Sequence, residues 1–419
     1  MEEMLPSHSN RFEKGVRARS THLHTVIFAV NKIRMDELRS ILDDISNPFS
    51  ANYGNHLTRA QVSALTTNVE GSQKLLTFLE NHAHGDGRVE ILEMTPNKDY
   101  ITTRASVAQW ESFFHTEFYE FHRKVSTESQ NKNNEGSHFH SSLTDLMECN
   151  KLLPFCFDSG VFVRAAEYSL PSEVAADALG VFNVADLPIN VKSNVLKGDK
   201  VPTPTELQAA MASPSSKFGT IVNNYVTPAL LNKYYQIGSN TGNKLASQGV
   251  YETNNQWFSP SDLAAFESFM GVPSETVAVD IGGHSSNNSC ATQGGDNCYE
   301  GNLDIQYMIG VSQVTPTTYY YIDEAAFIYK WLITLASSTS PPLVLSVSWG
   351  ETENYLSAAY MTAVNNEAII LSAMGVTLVA SSGDDGANGS RSACGYNPQF
   401  PSSSAYFTAV GATTVRSIQ

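Results

Sequence analysis

The chain has 419 residues, enough for two to four domains at about 100–200 residues each. Its 26 Lys and Arg stand against 42 Asp and Glu, a net charge of −16, and it contains no long basic run of the kind that binds nucleic acid. No apolar run approaches the roughly 18 residues of a membrane-spanning helix, and the N-terminus shows no apolar stretch of a signal peptide. We therefore expect neither nucleic acid nor a membrane as a partner.

The two halves of the chain differ in charge. Residues 201–419 contain 6 basic and 16 acidic residues and one of the 11 His. A surface poor in Lys and rich in Ser, Thr and Asn is typical of a protein that acts outside the cytosol, in an acidic environment. Two cysteine pairs are spaced closely enough for disulfides, Cys149 with Cys156 and Cys290 with Cys298, and free thiols are the alternative.

The N-terminal part contains both predicted strands and predicted helices. The predicted order is a strand at 23–30, a helix with Leu38, Ile41, Leu42 and Ile45 on one face, a helix opened by the capping box of Thr58 and Gln61, a helix marked by Leu75, Leu76 and Leu79, strands at 88–92 and 99–104, a helix capped by Ser106 with Gln109, and a strand at 117–122. This order predicts an α+β domain. A polar loop at 124–142 and a Pro/Ser/Thr-rich linker at 187–217 follow.

The pattern beyond this linker is that of a parallel α/β sheet. Strands are predicted at 277–280, 317–321, 343–348, 375–380 and 406–410, and helices after Ser259, around 300–310, at 323–336 and at 354–373. Ligands on such sheets bind at the carboxyl ends of the strands. Two polar clusters fall there, S-V-S-W-G at 346–350 and S-S-G-D-D-G at 381–386.

Glu300 and Asp304 stand four residues apart, so both carboxyl groups project from one face of the predicted helix. A solvated acidic face is the simplest interpretation of such a pair, but the neighbouring residues make this helix mostly apolar. Two carboxylates in apolar surroundings repel, and one should keep its proton to higher pH. Such a group can act as a general base in acid, where a His is already protonated.

Asp384 lies in a Gly/Asp turn directly after an apolar strand. Asp and Gly dominate ordinary turns, so the position is weak evidence by itself. In the functional interpretation, this turn places a carboxylic acid at a strand end, facing a substrate.

Four motifs in this order resemble the sedolisin, or serine-carboxyl peptidase, family, with the nearest likeness to its tripeptidyl-peptidase I branch. They are E-G-N-L-D-I-Q-Y at 300–307, S-V-S-W-G at 346–350, S-S-G-D-D-G at 381–386 and F-P-S-S-S-A-Y-F-T-A-V-G at 400–411. S-N-P-F-S-A-N-Y-G-N-H-L-T at 46–58 and Y-S-L-P at 168–171 resemble the activation prodomain of those enzymes.

The resemblance implies a role for each site residue. Glu300 would be the general base that takes the proton from a serine nucleophile, and Asp304 would orient Glu300. Asp384, in its neutral form, would donate a hydrogen bond to the oxyanion of the tetrahedral intermediate. The first substrate subsite would be lined by Ser348, Trp349 and Gly350. The substrate would be a peptide or an unfolded protein.

The resemblance also implies the domain organisation. We expect an activation prodomain at 21–186 bound intramolecularly, an activation linker at 187–222, and a sedolisin-type peptidase domain at 223–419. The corresponding fold class is α/β, with a subtilisin-like parallel sheet preceded by an α+β, ferredoxin-like prodomain. The expected location is the lysosome, the vacuole or the extracellular space.

The family's nucleophile lies in a G-T-S-x-S motif, which residues 1–419 do not contain, and its calcium site is also C-terminal. We therefore expect a C-terminally truncated proenzyme that is inactive alone. The alternative is a non-catalytic relative that binds peptides or inhibits a protease. A His-dependent subtilase is excluded because His284 is the only His after residue 200 and no H-G-T motif follows it.

Overall fold

The computed structural model describes most of the chain, namely residues 2–81, 89–124, 160–188, 226–238, 242–285, 290, 298–322, 327–384, 386–388 and 396–413. Several predictions of the sequence fall outside these residues. They are the polar loop from residue 125 onward, the linker from residue 189 onward and the proposed pair of Cys149 with Cys156.

The strands and helices of the N-terminal part follow the predicted order. Their bounds are β1 Glu2–Glu3, β2 Phe12–Arg17, β3 Leu23–Val30, α1 Met35–Ser46, α2 Arg59–Thr66, α3 Val69–Asn81, β4 Glu90–Met94, β5 Tyr100–Ser106, α4 Val107–Phe114, β6 Phe118–Arg123, β7 Val161–Ala165, β8 Glu167–Tyr168, α5 Ser172–Ala175 and β9 Ala178–Phe182. The capping boxes of Thr58 with Gln61 and of Ser106 with Gln109 are both present. The sequence analysis did not predict β1, β2 or β9.

The main sheet of this part is antiparallel, with the strand order β4-β5-β3-β9. Its strand β3 is buried over most of its length because Leu23–Val30 is almost continuously apolar. Trp110, Phe113 and Phe114 of α4 pack against Phe28 of β3 with ring centroids 5.8–6.1 Å away. These aromatic side chains belong to a hydrophobic core that also contains Leu75, Leu76 and Leu79 of α3.

The C-terminal part alternates helices and strands as the sequence predicts. Its elements are α6 Pro228–Tyr234, β10 Gln248–Glu252, α7 Pro260–Met270, β11 Val279–Ile281, α8 Tyr299–Ser312, β12 Thr317–Tyr321, α9 Phe327–Ser337, β13 Val344–Val347, β14 Glu351–Thr352, α10 Ala358–Ala373, β15 Thr377–Ser381, β16 Gln399–Phe400 and β17 Thr408–Val410. Helix α7 begins at the predicted cap, where the Ser259 hydroxyl accepts a hydrogen bond from the Asp262 N–H.

Six strands form a parallel sheet in the order β11-β12-β10-β13-β15-β17, so the α/β prediction with a parallel sheet is confirmed. The sequence analysis did not predict β10, which lies at the centre of the sheet between β12 and β13. Only Val250 and Tyr251 mark it as apolar, and polar residues follow at once. A strand with so short an apolar stretch is recognised only by the neighbours that bury it.

The chain divides into two compact units that do not follow the predicted domain limits. One unit contains Met1–Asn31, Asn68–Pro188 and Asn354–Ala359, and the other contains Lys32–Thr67, Ile189–Glu353 and Tyr360–Gln419. We call the second the α/β unit, and we call Lys32–Thr67, which carries α1 and α2, the helix pair. The limits at 186 and 222 remain predictions.

No helix within the described residues is long and apolar enough to span a membrane. Cys290 and Cys298 form a disulfide, which decides between the two interpretations of their spacing.

Candidate active site

Parallel strands bring three of the polar positions to one edge of the sheet. Glu252 is the last residue of β10, the S-V-S-W-G motif ends the neighbouring β13, and Asp384 follows β15 beyond that. Because the strands are parallel, their carboxyl ends share an edge, which is where α/β sheets bind ligands.

Helix α8 carries Glu300 and Asp304, and the segment between β10 and α7 holds its first turn. The Glu300 N–H donates to the side-chain oxygen of Gln256 at 3.0 Å. The side-chain oxygen of Asn302 accepts from the Ser259 N–H at 2.8 Å. Gly301 lies against the Trp257 backbone, where an added Cβ would be 2.6 Å from the carbonyl carbon. Only a glycine permits this approach, so the position of the two carboxyl groups depends on it.

Asp304 accepts a hydrogen bond from Ser348. The Ser348 hydroxyl donates to Asp304 Oδ2 at 2.5 Å, which joins the predicted general-base helix to the S-V-S-W-G motif. The Ser348 side chain therefore points at a carboxyl group. Its role in lining the first substrate subsite remains a prediction.

Glu252 is a functional candidate that the sequence analysis missed. It is fully buried, its Oε2 accepts from the Trp349 indole N–H at 2.9 Å, and its carboxyl group is hydrogen-bonded to Asp304. Trp349 is only 2% exposed, and its role in lining the substrate subsite remains a prediction. The sequence signal for Glu252 is a carboxyl group at the end of an apolar strand. This signal can be used only after β10 has been recognised as a strand.

The two buried carboxyl groups share a proton. Burial, and then the charges of Asp304 and Glu300, hold the pKa of Glu252 well above its usual range. Burial raises the pKa of Asp304 to about 6, while hydrogen bonds from Ser348 and Glu252 oppose that rise. Protonated Glu252 therefore donates to ionised Asp304. The expectation that one carboxyl of this helix keeps its proton to higher pH holds for Asp304, and its main cause is burial rather than repulsion by Glu300.

Asp384 and Gly350 lie beyond this buried group. Asp384 is exposed, in the bend that follows β15, and Gly383 before it has a φ of +87°. Gly350 approaches Phe400 so closely that an added Cβ would be 2.7 Å from the Phe400 carbonyl oxygen. The oxyanion role of Asp384 and the subsite role of the Gly350 backbone remain predictions.

His284 lies in an exposed loop after β11, and its Nδ1 is 2.5 Å from a carboxylate oxygen of Asp280. No group of three or more His, Cys, Asp or Glu in the described ranges is arranged to hold a metal ion.

The chain is similar to known proteins over different parts of its length. The model of the Pro-kumamolisin activation domain matches residues 10–187. Human tripeptidyl-peptidase 1 is 34% identical over 205 residues, which cover 45% of this chain and 34% of that protein. Tripeptidyl-peptidase SED2 of Arthroderma otae is 24% identical over 422 residues, which cover 92% of this chain and 62% of the fungal protein.

The chain thus spans between about a third and under two thirds of the length of these relatives. The solved structure of Pseudomonas sedolisin aligns with 44% of this chain and 52% of its own, at 23% identity and a TM-score of 0.35, which adds no argument. Residues 10–187 thus match an activation domain, and the chain is similar to tripeptidyl-peptidases over 45% to 92% of its length.

Proposed function

We propose that four carboxyl groups form the acid–base part of a serine-carboxyl peptidase site that hydrolyses peptide bonds in acid, namely Glu252 at the end of β10, Glu300 and Asp304 of α8, and Asp384 after β15. The observation that carries the proposal is the hydrogen-bonded series from Trp349 through Glu252 and Asp304 to Ser348. It raises the pKa of both buried carboxyl groups, so that they hold their protons in acid, where acid–base chemistry by carboxyl groups operates.

In the proposed reaction each carboxyl group has one task. Glu300 takes the proton of the attacking serine hydroxyl and later gives it to the leaving amine. Asp304 is held by Ser348 and Glu252, is protonated below its pKa of about 6, and orients Glu300 by a carboxyl–carboxylate hydrogen bond. Asp384 in its neutral form donates a hydrogen bond to the oxyanion, so activity should fall as Asp384 ionises.

The proposal extends to the remaining features that the resemblance implies. The substrate is a peptide or an unfolded protein, cleaved as by a tripeptidyl-peptidase, and the location is lysosomal, vacuolar or extracellular. Calcium is the proposed cofactor, but no step is derived through it because the described residues include no metal-binding group.

We also propose that residues 10–187 act as an activation prodomain with a ferredoxin-like sheet. The elements β3–α3–β4 and β5–α4–β9 repeat a strand–helix–strand order and share one antiparallel sheet, which supports this topology.

The test is hydrolysis of tripeptide amides with a free N-terminus, from pH 3 to 7, by protein expressed from the complete reading frame. We expect an acid optimum, loss of activity in Glu300→Gln, and a fall in kcat of roughly 10²–10³ with little change in KM in Asp384→Asn. Asp280→Asn is the matched control, since Asp280 lies in β11 of the same sheet outside the hydrogen-bonded series. Full activity in Asp384→Asn would remove that residue from the mechanism. Peptide binding without turnover by the unmodified protein would favour the non-catalytic alternative.

A further inference from the structure

Helix α8 carries Glu300 in its first turn, and a disulfide lies directly before that turn. Cys298 is the residue that precedes α8, and its sulfur is bonded to that of Cys290. Both side chains are buried, with 2% and 7% of their surfaces exposed. The disulfide therefore lies two residues from the carboxyl group that acts as the general base in the proposed function.

The residue before a helix usually caps it with its side chain. Ser, Thr, Asp and Asn are preferred there because their side chains accept a hydrogen bond from an N–H group of the first turn. Among the residues that the structure describes, the Cys298 side chain caps no such group. The Glu300 N–H donates instead to the side-chain oxygen of Gln256 at 3.0 Å. A covalent bond thus stands where a capping side chain usually lies.

The other half of the disulfide lies against the loop after β11. Cys290 Sγ is 3.5 Å from the Ser285 hydroxyl oxygen. The Ser285 N–H donates to the Phe258 carbonyl oxygen at 3.0 Å, and the rings of His284 and Phe258 have their centroids 5.3 Å apart. Cys290 is therefore next to residues that are themselves fixed to the segment before α7.

The same segment contacts the first turn of α8 directly. The Trp257 backbone lies against Gly301, and the Trp257 ring stacks on Tyr321 of β12 with centroids 3.6 Å apart. The first turn of α8 is therefore held by two sets of contacts. One consists of Gln256 and Trp257, and the other is the disulfide.

Asp304 lies one turn further along α8 and is held in a different way. Its carboxyl group is hydrogen-bonded to Ser348 and Glu252, which belong to strands of the sheet or follow them directly. The first turn of a helix opens more easily than its interior, because its N–H groups lack partners within the helix. Loss of the disulfide should therefore loosen Glu300 and leave Asp304 in place.

We propose that the disulfide of Cys290 with Cys298 is a positioning element for Glu300, which it keeps aligned with the attacking serine hydroxyl by holding the first turn of α8. A bond between residues eight apart constrains the unfolded chain less than one that closes a long loop. We therefore expect it to matter more for the position of Glu300 than for the stability of the fold. The inference rests on the proposed function, in which Glu300 is the general base.

The test compares protein expressed from the complete reading frame with its double variant Cys290→Ala and Cys298→Ala. Hydrolysis of tripeptide amides from pH 3 to 7 gives kcat and KM. We expect kcat to fall about 10- to 100-fold, because a displaced general base slows proton transfer, and KM to change less than about twofold. The titration of Asp304 near pH 6, followed by infrared spectroscopy, should not move.

Leu335→Ala is the matched control for lowered stability, since Leu335 of α9 is 1% exposed and is not among the residues that hold α8. It should lower the unfolding temperature and leave kcat unchanged. Where the double variant does not fold, Cys290→Ser breaks the same bond by changing one atom, and its hydroxyl keeps Ser285 as a partner. The same fall in kcat is expected there.

Hydrogen exchange measures how firmly the first turn is held and requires no peptidase activity. Loss of the disulfide should speed exchange of the Glu300 and Asn302 amides about tenfold relative to the amides of Ile305 and Ile309. The Asn302 N–H donates to the Cys298 carbonyl oxygen at 2.9 Å, so it reports on the residue that carries the disulfide.

Three outcomes would overturn the proposal: an unchanged kcat in the double variant, an equal fall of kcat in Leu335→Ala, or unchanged exchange in the first turn of α8. Absence of hydrolysis by the protein without substitutions would instead contradict the proposed function. In that case the exchange measurement still decides whether the disulfide holds the first turn.

Discussion

Asp304 is the residue whose ionisation couples this site to pH. Its folded-state pKa of about 6 exceeds the ordinary value of 3.8, so the folded protein binds more protons than the unfolded chain between these pH values. The free energy of unfolding should therefore fall as pH rises from about 4 to about 6. Two units of pKa difference correspond to about 3 kcal/mol.

Asp304→Asn should abolish that part of the pH dependence, because the amide does not titrate and its oxygen can still accept the Ser348 hydroxyl. The measurement is urea unfolding of the variant and the unmodified protein at several pH values from 4 to 7. Asp43→Asn, on the exposed side of α1, should leave the slope as it is. An unchanged slope in Asp304→Asn would show that other groups carry this dependence.

Replacing Trp349 tests the hydrogen bond that its indole N–H donates to Glu252. In Trp349→Phe the buried Glu252 Oε2 loses its indole donor, and the unsatisfied oxygen should cost about 1–3 kcal/mol beyond the lost packing. Trp331 is the matched control because it is equally buried, and its indole N–H has no hydrogen-bond partner among the described residues. Comparing the unfolding free energies of Trp349→Phe and Trp331→Phe separates the hydrogen bond from the volume change, and equal losses would contradict the assigned role.

At the scale of elements, the position of α8 depends on its approach to the segment before α7. A Cβ on Gly301 would meet the Trp257 backbone at 2.6 Å, and backbone cannot move aside as a flexible side chain does. Gly310 of the same helix faces only the side chains of Phe266 and Pro228, at 3.0 and 3.2 Å.

We expect Gly301→Ala to cost about 1–3 kcal/mol and to displace Asp304, since overpacking outweighs the gain in helix propensity. Gly310→Ala should be close to neutral. Thermal unfolding measures both, and the carboxyl titration followed by infrared spectroscopy should shift in Gly301→Ala alone. A neutral Gly301→Ala would mean that α8 has room to move.

For the molecule as a whole, the two units should respond to acid in opposite directions. Burial lowers the pKa of His24 to about 3, with a smaller contribution from the charge of Arg164. Its neutral ring donates from Nε2 to the Asn183 carbonyl oxygen at 2.7 Å. Because the folded pKa lies below the unfolded value of about 6.5, the stability of this unit is complete above pH 6.5 and declines as pH falls toward 3.

His24→Gln should remove this loss, since a glutamine side chain can donate to the same carbonyl oxygen without taking up a proton. By pH 5 the unmodified unit should have lost about 2 kcal/mol relative to pH 7. Hydrogen exchange of the β5 amides, corrected for the intrinsic effect of pH, measures this loss. His122→Gln at an exposed position is the control, and an acid response that persists in His24→Gln would assign it to other groups.

Local patterns let the sequence determine much of this protein by itself. Both capping boxes, the strand at 23–30 and the α7 cap at Ser259 depend on residues within a few positions of one another, so short-range hydrogen bonds and apolar spacing suffice. The order of four motifs likewise identified Glu300, Asp304 and Asp384 as candidates.

The tertiary structure decided what depends on distant residues. β10 and β9 are strands because they pair with sheet neighbours that are distant in the chain. Ser348 and Trp349 donate to carboxyl groups that lie 44 and 97 residues away in the chain, and the Trp349 contact identified Glu252. The tertiary structure also placed the helix pair on α10 through the ion pair of Lys32 and Glu367. Burial sets the pKa of Asp304 and of His24, and burial is a property of the packed molecule that no local pattern contains.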